Sequence, residues 1–99
     1  MSVLVLGKFR GDTGKFRQAL TDRADEFVAI SDRARMAGGI SHRFGIGDGV
    51  VVIADEWESA DQFRQFLADP RLQQFISEIG AQGEPEITIT EAVVSADQF

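Results

Sequence analysis

Gly47-Asp48-Gly49-Val50-Val51-Val52-Ile53-Ala54-Asp55-Glu56-Trp57-Glu58-Ser59 decides the fold. Asp48-Gly49 is the residue pair that a two-residue hairpin turn demands, because glycine takes the positive φ that other residues resist. The β-prone run behind it predicts a strand over Val50–Trp57, with Val51, Ile53, Asp55 and Trp57 on one face and Val50, Val52, Ala54 and Glu56 on the other. Ser59-Ala60-Asp61-Gln62 then reads as a capping box that starts a helix at once.

Upstream, Ile40 to Ile46 alternates Ile40, His42, Phe44 and Ile46 against Ser41, Arg43 and Gly45, and predicts the partner strand of the hairpin. A two-residue turn pairs Gly47 with Val50. It therefore sets His42 opposite Asp55 and Ile40 opposite Trp57. Val3 to Phe9 is a strand with apolar residues on both parities, the mark of a strand covered on both faces. From Gly14 the period becomes helical. Phe16, Leu20, Phe27 and Ile30 share a stripe, and the helix stops between Ser31 and the Gly38-Gly39 pair. Downstream, Phe63, Phe66 and Leu67 form a buried stripe. Asp69-Pro70 restarts the helix, Leu72, Phe75, Ile76 and Ile79 continue the stripe, and Gly80 ends it. Glu86 to Val94 alternates as a fourth strand.

The element order β-α-β-β-α-β predicts an α+β, ferredoxin-like domain over residues 1–99: a four-stranded antiparallel sheet with its helices on one face. The other face carries apolar residues from the first and third strands. A bare apolar sheet exceeds what a soluble monomer shows, so the expectation is a homodimer in which two sheets cover each other.

Composition excludes several classes. The formal net charge is −6, and the 10 Lys and Arg are scattered among acids, which argues against a nucleic-acid partner. There is no cysteine, and the one histidine rules out a multi-histidine metal site. No run approaches the ~20 apolar residues of a membrane span, and no basic segment precedes the first apolar run, so the expected location is cytoplasmic. The glycines Gly7, Gly11 and Gly14 lack the spacing of a phosphate loop.

Gly38-Gly39-Ile40-Ser41-His42-Arg43-Phe44, the β-run Val50 to Asp55, and Glu56-Trp57-Glu58-Ser59 followed by Phe63 and Asp69-Pro70-Arg71 resemble the antibiotic biosynthesis monooxygenase family. The resemblance covers nearly the whole chain by element order. It implies a dimeric α+β barrel, no cofactor, and a cofactor-free oxygenation of a small aromatic or quinol-type compound. Trp57 matches the family's pocket tryptophan. The chain departs from the family in having no tyrosine. It also has no histidine in the helix after Trp57 and no asparagine in the first strand, which separates it from the haem-degrading branch.

The residues themselves supply one polar constellation, His42 with Asp55. A carboxylate beside an imidazole orients the ring, and such a pair deprotonates a phenol or quinol. On this reading His42 is the base and Asp55 its orienter. Trp57, Phe44, Ile53 and Phe63 shape a pocket for a small apolar or aromatic ligand. The plain alternative for His42 and Asp55 is a cross-strand ion pair. The rival for the whole chain is a non-catalytic dimeric module that binds a small ligand or is only structural. A proton-transfer isomerase or lyase is a third.

Overall fold

The computed structural model describes all 99 residues. Eight elements follow one another: β1 (Val3–Arg10), α1 (Thr13–Asp22), α2 (Ala24–Ala37), β2 (Gly39–Gly47), β3 (Val50–Trp57), α3 (Ala60–Leu67), α4 (Pro70–Glu78) and β4 (Glu86–Glu91). The strands form one antiparallel sheet in the order β2-β3-β1-β4. The two helical crossovers lie over one face. This is the ferredoxin-like arrangement expected from the element order.

Side-chain parity assigns the faces. Val3, Val5 and Phe9 of β1 pair with Trp57, Asp55 and Val51 of β3, and all point toward the helices. Ile89 of β4 joins them opposite Val5. The remaining parity carries Leu4, Leu6 and Val52, all exposed, with Leu6 at 50%. Two apolar clusters hold the helices down. Phe16, Ala19, Val51, Phe75 and Ile79 form one, and Val5, Trp57 and Phe63 form the other.

The caps are those the sequence announces. Ser59 accepts from the Gln62 N–H and starts α3, and Asp69 accepts from the Arg71 N–H with Pro70 in the first turn of α4. Gly38, at φ +122°, closes α2 and settles where that helix ends.

Three details differ from the sequence reading. The first crossover is two helices, not one, and breaks at Arg23. Neither Gly nor Pro stands there. Arg23 instead reaches Glu26 at 2.7 Å and Glu78 at 2.9 Å, and its guanidinium lies 4.6 Å from the centre of the Phe75 ring. Those hydrogen bonds hold it firmly in its charged form. At the start of β2 the ladder slips between Gly39 and Ser41, so Gly39, not Ile40, stands opposite Trp57. That is a β-bulge, and it turns Ile40 out of the core. Finally, β4 stops at Glu91, although the alternation runs on to Val94. Glu91 pairs with Val3, the first residue of β1, and one last bond, from the Ala92 N–H to the Ser2 carbonyl, ends the pairing.

Candidate functional site

The β2–β3 hairpin builds the polar part of the site. Asp48 and Gly49 form the turn, Gly49 at φ +67°, and Gly47 pairs with Val50. Counting back from that pair sets His42 opposite Asp55, on the face toward the helices. Nδ1 of His42 lies 2.7 Å from Oδ1 of Asp55. Two residues further along the same face, the Trp57 indole Nε1–H donates to the other oxygen of Asp55, Oδ2, at 3.2 Å. The side chain of Asp55 is 7% exposed and that of His42 is 43% exposed. A buried carboxylate is costly unless its acceptors are filled. Here each oxygen has a donor. A carboxylate with both oxygens accepting holds the hydrogen on Nδ1 and leaves Nε2 without a partner.

Around this chain of bonds the surface is aromatic. The Phe44 ring stands edge-on to His42 at 4.5 Å, and Phe16 stands edge-on to Phe44 at 5.0 Å. On the other side Phe63 and Phe66 hold the indole, with ring centres 5.5 and 5.3 Å away. Trp57 is only 2% exposed. Such aromatic pairs, edge-to-face except for the tilted Trp57–Phe66 pair, add roughly 0.5–1.5 kcal/mol each beyond area burial, and they fix ring orientations.

Between the two apolar clusters lies a cavity of about 520 Å³. Twenty of its 30 lining residues are hydrophobic, which suits an apolar ligand anchored by few polar groups. Beside it α2, fourteen residues long, has half-buried inward residues and no fully buried side chain. The helix packs Phe27, Ile30, Ala34 and Ala37 against the two clusters and also roofs the hollow between them. The mouth lies between α2 and the edge strand β2, marked by the solvent-facing lining residues Val28, Arg35, Ile40 and His42.

All six residues singled out from the sequence (His42, Asp55, Trp57, Phe44, Ile53 and Phe63) line this one cavity. His42, Asp55 and Trp57 are joined by hydrogen bonds. Phe44 and Ile53 form the adjacent floor, and Phe63 backs the indole. The sequence reading missed the indole bond to Asp55, although the shared parity of residues 55 and 57 signalled it. It also missed the rim residues Val28, Ser31 and Arg35, which lie beside the apolar stripe of α2. No three His, Cys, Asp or Glu side chains gather where they would hold a metal ion. No helix is long and apolar enough to cross a membrane.

No family model matches the chain, and no curated protein matches it in sequence. Solved structures do share its fold. A monooxygenase from the gene ActVA-Orf6 of Streptomyces coelicolor, in complex with the ligand nanaomycin D, is 19% identical, with a TM-score of 0.66 over 99% of this chain and 93% of that one. SnoaB, a cofactor-independent oxygenase from Streptomyces nogalater, is 16% identical, with a TM-score of 0.61 over 98% of each chain. An antibiotic biosynthesis monooxygenase is 11% identical, with a TM-score of 0.65 over 93% of this chain and 99% of that one. At these identities the likeness is one of fold. At that level it bears out the resemblance carried by the Trp57 region and the element order.

Proposed function

We propose that this chain is a cytoplasmic, homodimeric, cofactor-independent monooxygenase-like enzyme acting on a small aromatic or quinol-type compound. The observation that carries the reading is the imidazole at the cavity wall. Nδ1 of His42 lies 2.7 Å from a buried carboxylate oxygen and Nε2 has no side-chain partner, in a hollow that is mostly apolar. The oxygenases with this fold, one of them holding a ligand, support it.

In this mechanism Nε2 of His42 takes the proton from a phenolic or enolisable group of the substrate, and Asp55 holds the ring and stabilises the imidazolium. The electron-rich anion then reduces O₂. For an anthrone-type methylene the balance is CH₂ plus O₂ giving C=O plus H₂O: one oxygen atom enters the ring carbon and the other leaves as water with both hydrogens. The aromatic floor of Phe44 and the Trp57–Phe63 wall hold the planar ring. The exposed apolar sheet face, with Leu4, Leu6 and Val52, is where a second copy packs.

Oxygen uptake with a panel of anthrones and hydroquinones tests this. The expected result is uptake by the wild type and a loss of about 10²–10⁴-fold in His42→Ala, the usual range for removing a general base. Unchanged uptake in that variant would remove the site assignment. Ligand binding without uptake would assign the chain to the binding module.

A further inference from the structure

We infer that Trp57 is a positioning residue: its indole N–H, acting through Asp55, determines which nitrogen of His42 is left free. The inference rests on the base reading given above and concerns how that base is prepared. An indole nitrogen only donates. An ionised carboxylate only accepts, and Nε1–H on Oδ2 fixes its rotation so that Oδ1 is the oxygen turned to His42. Nδ1 must then supply the hydrogen for the 2.7 Å contact, and Nε2 keeps its lone pair. The indole is the fixed end of this chain. It is almost wholly buried and gripped by the Phe63 and Phe66 rings, whereas His42 at the other end is half-exposed. A half-exposed neutral imidazole with no such partner populates both tautomers. Without the indole bond, Asp55 has an open oxygen in a buried place. It can then turn away from Nδ1, the imidazole hydrogen is no longer tied to that nitrogen, and the tautomer with its hydrogen on Nε2, which is no base there, becomes populated.

The chain contains one histidine and one tryptophan, so each gives a single set of nitrogen resonances. Long-range ¹H–¹⁵N correlation spectra of ¹⁵N-labelled full-length protein, recorded where His42 is neutral, read the tautomer without any substrate. The wild type is expected to show a protonated Nδ1 and a bare Nε2. In Trp57→Phe the separation between the two resonances is expected to shrink or reverse. A wild-type proton on Nε2, or an unchanged pattern in Trp57→Phe, would overturn the inference. If Trp57→Phe does not fold, hydrogen exchange of the wild-type indole N–H decides. Protection that is lost in Asp55→Ala supports the bond, and exchange at the rate of a free indole overturns it. A tautomer that responds in a protein showing no oxygen uptake leaves this inference standing and removes the enzymatic reading. Uptake together with an unresponsive tautomer does the reverse.

Discussion

Filling the hollow should make the protein more stable and less able to bind. Ala34 sits on the cavity side of α2 and touches the Val5–Trp57–Phe63 cluster. Ala34→Leu adds three carbons in a residue with comparable helix propensity, so the helix itself is little affected. At about 0.8 kcal/mol per buried methylene the gain has a ceiling of about 2.4 kcal/mol. Ordering a leucine side chain costs roughly 0.5–1 kcal/mol, which leaves a net gain of about 1–2 kcal/mol. In a domain of this size that is a rise in Tm of roughly 5–10 °C. A cavity of about 520 Å³ has room for the added carbons without strain. Urea unfolding measures the stability. Quenching of the single tryptophan by anthrone measures binding, and affinity is expected to fall about tenfold or more, roughly 1.4 kcal/mol. If Ala34→Leu instead loses about 1–3 kcal/mol, as overpacked cores do, and binding is unchanged, then the space is not there and the reasoning fails.

The other predictions are simpler to read. Leu6→Asp puts a charge on the exposed sheet face. The wild type should sediment as a dimer and the variant as a folded monomer, while a monomeric wild type at micromolar concentration refutes the packing of two sheets. Gly80 has φ +115°, and a Cβ there would lie 2.7 Å from the Asp12 carbonyl oxygen, so Gly80→Ala should lose roughly 1–3 kcal/mol in urea unfolding. The side-chain hydrogen bond from Arg71, and then its backbone N–H, hold Asp69 below its ordinary pKa of 3.8. A depressed carboxylate contributes stability above that value and loses it as pH falls through the lower, folded-state one. Thermal melts of wild type and Asp69→Ala should therefore differ at neutral pH and converge below pH 3.8. A gap that persists in strong acid would show that the cap acts without its charge.

Much of the architecture is written in local chemistry. The Asp48-Gly49 turn and the parity of Val50–Trp57 place His42 against Asp55 by residue spacing alone. Ser59 and Asp69 announce two helix starts. The details that escape are those set by distant partners. Arg23 breaks a helix while bound to Glu78, fifty-five positions away, and nothing beside it in the chain says so. β4 ends opposite the start of β1, not where its own alternation ends. The cavity is illegible for a deeper reason. Phe27 and Ile30 form an apolar stripe whether they meet a filled core or a void, and only the sum of side-chain volumes across both crossovers separates the two cases. The indole bond to Asp55 lies between these extremes, since its spacing is visible but its donor direction is not.

A helix with part of its inner face on packed clusters and part on a hollow answers to two constraints. Phe27, Ile30, Ala34 and Ala37 answer to the clusters they pack against, whereas the rim residues of α2 are judged by the guest they meet and hardly at all by the scaffold. Exchanges at Val28, Ser31 and Arg35 can reshape what the protein accepts while the sheet and its hairpin go untouched. New chemistry for this chain is thus reached most cheaply by drift along one turn after another of that helix, with the imidazole left where it is.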